Sequence, residues 1–364
     1  MPAFISSIGT AVPKNRIKQS QIAEFMLRHL KLDEAQKKSL QLLYRASGIQ
    51  YRHSVLSDYL KPTEQFSFYP KEENLEPFPQ VGSRMALYKK EAILLCKEAV
   101  LDCVSKEELQ SITHLITVSC TGMYAPGIDI ELIEQLDLPT NTQRTAINFM
   151  GCYAAFNALK VADHILHSDS KNKVLIVAVE LCSIHMQKTT DEDTLLSNAL
   201  FGDGAAAVFV EDKPSRSPAL EMAAFYADLD TSGKEAMAWQ INDFGFEMKL
   251  SQEVPYVIQK GIKRLTEKLL SQLDLRIDQI DHFAIHPGGK RILQVIEEAL
   301  EIQKDRNVEA YNILRNFGNM SSPTVLFVLK NIMQGLDKNN SGQNLLSFAF
   351  GPGLTLESML LKIH

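Results

Sequence analysis

The sequence has no long apolar run and no cysteine spacing that would suit a metal. No stretch approaches the roughly 18 consecutive apolar residues of a membrane-spanning helix, and the N-terminal segment lacks the charged-then-apolar order of a secretory signal. The five cysteines include no CxxC pair, which argues against a zinc site and against a disulfide framework. We therefore expect a cytoplasmic protein with free thiols, no bound metal and no membrane span.

Basic clusters are missing as well. The formal net charge is −6, spread along the chain without a long run of lysine and arginine. Nucleic acid and anionic membrane are therefore poor candidates for the main partner. Apolar content, by contrast, is ample: 45% of the 364 residues are hydrophobic, enough for a large buried core.

Short apolar runs alternate with helical stretches along the chain. The runs of strand length cover residues 114–120, 173–181, 205–211, 282–286 and 344–351. This alternation predicts an α/β fold with a well-covered sheet. Residues 56–84, which hold several prolines, are expected to form a long excursion outside the core.

A polar, proline-bounded segment, EDKPSRSP at residues 211–218, is expected to be a hinge. It separates an N-terminal half, residues 1–211, from a C-terminal half, residues 219–364. The order HLITVSCTG then NFMGCYAAFNALKVADHIL in the first half is echoed by HFAIHPGG then NFGNMSSPTVLFVLKNIM in the second. Repetition in this order predicts a duplicated fold of two pseudo-symmetric halves.

The repeat places three reactive residue types at corresponding ends of elements. The offset is 168 residues from His114 to His282 and 167 from Cys152 to Asn319, so the register is nearly kept. Ligands of open α/β sheets gather outside the carboxyl ends of the strands. If the two halves face each other, Cys152, His286 and Asn319 meet at one site.

The chemistry of these three residues is compatible with acyl transfer. Cys152 lies at the start of an apolar helix, where the partial positive charge of the helix favours a thiolate. A cysteine nucleophile forms a thioester, and the N–H groups of His286 and Asn319 could hold an enolate oxygen. Taken singly, each residue also has an ordinary explanation: a packed cysteine, a histidine bonded to backbone, an asparagine capping a helix.

Four ordered motifs resemble the type III polyketide synthases, the chalcone and stilbene synthase-like branch of the thiolase superfamily. They are GCYAAFNALKVA, IHPGG, NFGNMSSPTVLFVL and FGPGLTLE. The resemblance implies a homodimer with the thiolase-like duplicated αβαβα layered fold, in which Cys152 is the nucleophile and His286 and Asn319 are the activating and enolate-stabilising pair. It also implies that coenzyme A thioesters are used directly, with malonyl-CoA as the extender and without a metal, flavin or nicotinamide cofactor.

The resemblance also assigns residues to the substrate pocket, with departures from the plant pattern. Phe201 matches an aromatic gatekeeper, whereas Met248 stands where the plant enzymes have a second phenylalanine. His185, Cys120 and Trp239 are expected to line the cavity as well, unless they only pack in the core. Several of these positions are more similar to bacterial alkylpyrone and alkylresorcinol synthases than to chalcone synthases.

The coenzyme A phosphate site does not carry over from the plant enzymes. Arg45 and Arg52 are the nearby basic candidates.

The sequence therefore predicts an acyltransferase that loads an acyl-CoA starter on Cys152, extends it by iterative decarboxylative condensation with malonyl-CoA and releases an alkylpyrone, alkylresorcinol or related polyketide. The alternative is a ketoacyl synthase of the initiating type in fatty-acid synthesis, with a single condensation; the HPGG and GNMSS contexts argue against it. A non-catalytic protein with the same duplicated fold would have an unreactive Cys152.

Overall fold

A mixed sheet of nine strands, with helices on both faces, forms the centre of the computed structural model, which describes residues 2–364. The strands are β1 Phe4–Ala11, β2 Asn15–Lys18, β3 Tyr51–Ser54, β4 His114–Ser119, β5 Gln143–Asn148, β6 Val174–Leu181, β7 Asp203–Glu211, β8 Leu220–Leu229, β9 Met237–Asn242, β10 Gly245–Leu250, β11 His282–Ile285, β12 Asn344–Gly351 and β13 Thr355–Ile363. The helices are α1 Gln19–His29, α2 Glu34–Ala46, α3 Val81–Cys103, α4 Lys106–Leu109, α5 Ile128–Gln135, α6 Ala154–Ser168, α7 Glu192–Leu200, α8 Val254–Ser271, α9 Lys290–Leu300, α10 Val308–Phe317 and α11 Thr324–Gly335.

The strand order shows the predicted duplication directly. It runs β11-β12-β13-β8-β1-β7-β6-β4-β5. In the first half β4 is parallel to β6, and β6, β7 and β1 are antiparallel in turn; in the second half β11 is parallel to β12, and β12, β13 and β8 are antiparallel in turn. The halves join where β1 pairs with β8. The predicted α/β fold with two pseudo-symmetric halves is therefore confirmed.

Two helices lie at the join between the halves. α6 packs on β4 and β6 and also on β13, while α11 packs on β11 and also on β1 and β7. Both are buried along most of their length, since small and branched apolar residues occupy nearly every inward position. The loops that precede these two helices carry Cys152 and Asn319, so the fold brings them to the same region.

The predicted excursion at residues 56–84 is only partly what the structure shows. No strand forms between β3 and α3, but α3 already begins at Val81. Three aromatic side chains of the segment, Phe66, Tyr69 and Phe78, are buried in the core of the first half. The expectation that this segment lies outside the core is therefore wrong, because its polar residues mark the exposed side of a loop that also buries rings.

Among residues 2–364, no helix has the length and apolar character needed to cross a membrane.

Candidate active site

Cys152 lies in a tight turn just before α6, and two glycines allow that turn. Gly151 has a φ of +85°, which glycine adopts readily, and a Cβ on it would lie 2.4 Å from Cδ of Pro352. A Cβ on Gly351 would lie 2.5 Å from the ring of Tyr153. The GPG motif of the second half therefore packs directly on the cysteine turn of the first half.

The backbone of Asn319 is fixed by the first half of the chain. Its N–H donates to the carbonyl of Leu200 at 2.9 Å, and its own carbonyl accepts from the N–H of Gly202 at 2.8 Å. These bonds pair Asn319 with Phe201 as a short parallel bridge. The asparagine and the gatekeeper position are thus held side by side.

The side chain of Asn319 connects the cysteine to the loop between β11 and α9, residues 286–289, which carries His286 and is called the histidine loop below. Its amide nitrogen donates to the carbonyl of Gly288 at 3.2 Å, and its oxygen accepts from the N–H of Ser321 at 2.8 Å. The side chains of Asn319 and Ser321 both lie within hydrogen-bonding reach of the Cys152 thiol. Gly288 in turn donates to the carbonyl of His286 at 2.9 Å. The three residues predicted from sequence are therefore brought together.

His286, directly after the end of β11, is deeply buried. It is 1% exposed, and neither ring nitrogen has a hydrogen-bond partner among residues 2–364. Such groups are rare in folded proteins, and a catalytic role is one of their recognised explanations. Burial lowers the pKa of His286 to about 3, so the ring is a neutral imidazole at pH 7.

Cys152 is also neutral at rest, and the sequence-based expectation of a thiolate is wrong for this state. Burial raises the pKa of the Cys152 thiol to about 12, and this effect outweighs the opposing hydrogen bonds from Ser321 and Asn319. The helix itself begins only at Ala154. A thiol with so high a pKa must lose its proton before its sulfur can act as a nucleophile.

Glu180 is part of the site and was missed from the sequence. Its carboxylate, at the end of β6, accepts from the N–H of Cys120 at 2.9 Å, from the hydroxyl of Thr121 at 2.7 Å and from the hydroxyl of Ser322 at 2.8 Å. Burial raises the pKa of Glu180 to about 7. The sequence does contain a sign of this buried carboxyl group, since Glu180 is the one charged residue in the apolar run VLIVAVEL.

Four of the five expected pocket residues lie around one cavity, named the inner cavity below. Phe201, Met248, Trp239 and His185 are on its wall. Cys120 is not on that wall: its sulfur accepts from the N–H of Gly151 at 3.0 Å, and its carbonyl accepts from the indole N–H of Trp239 at 2.7 Å. Cys120 is thus not on the wall of this cavity and instead supports the cysteine turn.

His185 is a bridge between two loops. One ring nitrogen, Nε2, donates to the carbonyl of Thr121 at 2.7 Å, and the other, Nδ1, accepts from the N–H of Phe246 at 3.0 Å. The ring stacks on that of Phe246, with centroids 4.4 Å apart. Burial lowers the pKa of His185 to about 3. Because both nitrogens are occupied, His185 shapes the cavity and has no free atom with which to accept a proton.

Arg52 is not available to a coenzyme A phosphate, so that prediction is wrong. It is 4% exposed, and its guanidinium donates to Oε1 of Gln19 and to the carbonyls of Asn198 and Phe201. The sequence could not show this burial. It depends on contacts of Arg52, on β3, with the first residue of α1 and with the end of α7, which is far away in the chain. Arg45 is exposed at the end of α2 and remains a candidate.

A second pocket opens beside the histidine loop, and it will be called the Gly288 pocket. Its walls are mostly apolar, from Leu196, Leu200 and Leu250, and it also reaches Gly288 and Gly289. Two cations at its rim, on the first turn of α9, were missed by the sequence reasoning; they are Lys290 and Arg291.

Comparisons with known proteins agree with this geometry. The model for the N-terminal domain of chalcone and stilbene synthases matches residues 1–214, and the model for the C-terminal domain matches residues 223–364. The alpha-pyrone synthesis polyketide synthase-like Pks18 of Mycobacterium tuberculosis is 29% identical over 373 residues, which cover 99% of this chain and 91% of that protein. Type III polyketide synthase A of Arabidopsis thaliana is 29% identical over 372 residues, which cover 99% of this chain and 92% of that protein.

Solved structures share the whole fold. PKS-I from the brown alga Ectocarpus siliculosus superposes with a TM-score of 0.91 at 27% identity, over 99% of this chain and 98% of that one. The C-terminal type III polyketide synthase domain of Steely1 from Dictyostelium superposes with a TM-score of 0.90 at 27% identity, over 100% of this chain and 99% of that one. With the thiolase-like fold shared from end to end and both family models matched, the chain belongs to the chalcone and stilbene synthase family of type III polyketide synthases.

Proposed function

We propose that this polyketide synthase loads an acyl-CoA on Cys152, extends it repeatedly with malonyl-CoA and releases a cyclised product such as a pyrone. The observation that supports this most is the buried imidazole of His286, which has no hydrogen-bond partner among residues 2–364. Its loop is bound at Gly288 by Asn319, the residue that also acts on the Cys152 thiol. We also propose that the enzyme works in the cytoplasm as a homodimer and needs no metal or other resident cofactor.

In the loading step, the neutral imidazole of His286 takes the proton of the Cys152 thiol as its sulfur attacks the thioester carbonyl. The bond from the carbonyl carbon to the coenzyme A sulfur breaks, and the imidazolium gives its proton to the coenzyme A sulfur. One thioester replaces another, so the step is close to balanced in free energy. The neutral resting states of both side chains suit this transfer.

In the extension step, a malonyl thioester loses carbon dioxide, and the electrons of the broken bond form an enolate. The ring N–H of His286 and the amide N–H of Asn319 that is not bound to Gly288 then stabilise the enolate oxygen. The enolate carbon then attacks the acyl group on Cys152, a carbon-carbon bond forms, and the bond to the cysteine sulfur breaks. The thiolate that leaves takes a proton from water.

The Gly288 pocket is the proposed entry for the coenzyme A arm. Its apolar walls lead towards the carbonyl that Asn319 binds, and Lys290 and Arg291 at its rim could meet phosphate groups. This assignment replaces Arg52, while Arg45 lies in a separate groove on the other side of α2.

Product analysis tests the proposal. The purified protein is incubated with malonyl-CoA and acyl-CoA starters of increasing length, and the products are identified by mass spectrometry. We expect starters extended by two or more two-carbon units. A single condensation with every starter would favour the ketoacyl synthase alternative, and no carbon-carbon bond formation at all would contradict the proposal. Cys152→Ala should abolish acyl loading, and Cys96→Ala, which removes a buried thiol outside the site, should keep it.

A further inference from the structure

Ser321 lies in the loop between α10 and α11, residues 318–323, which is called the asparagine loop below. The loop carries Asn319, which pairs with Phe201 on the wall of the inner cavity. The backbone of Ser321 has a φ of +56°, in the left-handed region. A residue with a Cβ is strained there, whereas glycine is not. The loop has a glycine at its other positive φ, +71° at Gly318, but a serine at this one.

Backbone hydrogen bonds hold Ser321 in this conformation. Its N–H donates to Oδ1 of Asn319 at 2.8 Å. Its carbonyl accepts from the hydroxyl of Thr324 at 2.8 Å and from the N–H of Thr324 at 3.1 Å. The next residue is fixed as well, since the hydroxyl of Ser322 donates to Glu180. A glycine at position 321 could make the same backbone bonds without strain, so these bonds do not account for the side chain.

The hydroxyl of Ser321 takes part in none of these bonds and lies within hydrogen-bonding reach of the Cys152 thiol. Both residues are only 4% exposed, so little water can reach the sulfur. Asn319 also acts on the thiol, but one of its amide N–H groups is bound to Gly288. Among the side chains that lower the pKa of the thiol, Ser321 acts more strongly than Asn319.

A negative charge on this sulfur needs such a donor. Burial disfavours the thiolate, and so does the nearby carboxylate of Glu180. A buried anion is costly unless hydrogen bonds replace the water that it loses, and bonds to a charged group are the strong ones. Strained residues that are held firmly by their surroundings cluster at active sites, where the strain places a functional group. The strained backbone of Ser321 is therefore explained by its hydroxyl.

We propose that Ser321 is a further catalytic residue, whose hydroxyl donates a hydrogen bond to the Cys152 sulfur and stabilises the negative charge that develops on it. The bond acts when the thiol attacks the acyl-CoA and again when the condensed chain leaves the sulfur. No covalent bond to Ser321 forms, and its hydroxyl keeps its proton. The inference rests on the proposed function, in which Cys152 is the nucleophile.

Two variants remove the hydroxyl with opposite effects on the backbone. Ser321→Ala keeps the strain, and Ser321→Gly relieves it. We expect both to slow two reactions of Cys152 at pH 8, alkylation by iodoacetamide and loading from hexanoyl-CoA, by about fivefold. Loss of the bond lowers the thiolate fraction by about tenfold or more, and the greater nucleophilicity of a more basic thiolate offsets part of this. Ser321→Gly should nevertheless unfold at a higher temperature than Ser321→Ala.

Glu301→Gly is the matched control. Glu301 is also a non-glycine residue with a positive φ, +55°, but it is exposed at the C-terminal end of α9. This variant relieves strain away from the site, so both reactions of Cys152 should keep the wild-type rate. Peptide mass spectrometry measures alkylation, mass spectrometry of the intact protein measures loading, and thermal unfolding measures stability.

The outcomes separate this inference from the proposed function. If the wild type is not loaded by hexanoyl-CoA, the proposed function fails. If the wild type is loaded and both Ser321 variants react at its rate, the inference is overturned and the polyketide synthase stands. Slowing by Ser321→Ala alone also overturns it, because loss of the hydroxyl must slow both variants. Should Ser321→Ala not fold, Ser321→Gly decides, with unchanged rates overturning the inference.

Discussion

At the scale of single residues, burial decides the protonation states of the site. Cys152 and His286 carry reactive groups, but desolvation keeps the thiol protonated and the imidazole neutral. In the proposed loading step the proton is therefore transferred as the thiol reacts, because neither group is charged beforehand. This differs from a cysteine at an exposed helix start, where the helix charge lowers the pKa.

The first prediction concerns the alkylation of Cys152. Because burial raises the pKa of this thiol to about 12, its reaction with iodoacetamide should accelerate by about tenfold per pH unit from pH 7 to pH 9. Peptide mass spectrometry after timed quenching measures the rate, and the fully buried Cys96 serves as the control. A rate that levels off below pH 8 would show a stable thiolate and contradict the assignment.

The second prediction concerns Glu180 and the stability of the fold. Its folded pKa is raised to about 7 from 4.5, so the folded state holds this proton more tightly than the unfolded chain does. The stabilisation is present below pH 4.5 and is lost as the pH rises through 7. The wild type loses this stabilisation between pH 4.5 and pH 8, and Glu180→Gln does not. The unfolding free energy of the variant minus that of the wild type should therefore be about 3 kcal/mol larger at pH 8 than at pH 4.5.

Urea unfolding at the two pH values measures this difference. The matched control is Glu98→Gln, on the exposed side of α3, which should show no such gain. An equal effect of Glu180→Gln at both pH values would mean that the carboxyl ionises as freely in the fold as outside it.

At the scale of elements, the site depends on turns that bring loops of both halves into contact. The cysteine turn before α6 and the GPG loop between β12 and β13 approach so closely that each needs a glycine. Motifs that look like isolated signatures in the sequence are thus two sides of one contact. The same holds for IHPGG and NFGNMSS, which meet through the bond from Asn319 to Gly288.

The third prediction follows from that contact. Gly151→Ala should lower the unfolding free energy by about 2 kcal/mol or more, because alanine is strained at a φ of +85° and its Cβ would overlap Pro352. It should also slow acyl loading by displacing Cys152. Gly82→Ala, in α3 with open space around the new Cβ, should instead stabilise the protein by up to about 1 kcal/mol. Thermal unfolding and mass spectrometry of the loaded protein measure both effects, and equal behaviour of the two variants would contradict the argument.

At the scale of the whole molecule, the central sheet ends in an open edge. β5 is the last strand of the sheet, it is exposed along most of its length, and Met150, just after it in the chain, is an exposed large apolar side chain. Unpaired edge strands are usually covered or made unattractive in monomeric proteins. This edge is the face on which we expect the homodimer to form.

The fourth prediction is a dimer in solution. Light scattering should give twice the chain mass of 40.8 kDa. Ala146→Lys, in β5, should shift the mass towards that of the monomer, because it places a charge in the buried interface. Leu229→Lys, at an exposed position at the end of β8, should leave the dimer intact. A monomer in the wild type, or dissociation by both variants, would place the interface elsewhere or exclude it.

Much of the fold follows from local pattern. The strand-length apolar runs, the nearly constant offset between the halves and the residue types Cys152, His286 and Asn319 can all be read in the chain, because periodicity and repetition are local properties. The sequence could not place Arg52 or Glu180, since it does not show which polar side chains lose their contact with water.

The sequence by itself therefore determined the α/β class, the duplication and the reactive groups on which the proposed chemistry depends. The tertiary structure alone decided which of these groups are neutral, which arginine is buried and which carboxylate lies near the cysteine turn. The physical reason is that pKa values and unpaired donors depend on desolvation and on contacts between residues far apart in the chain.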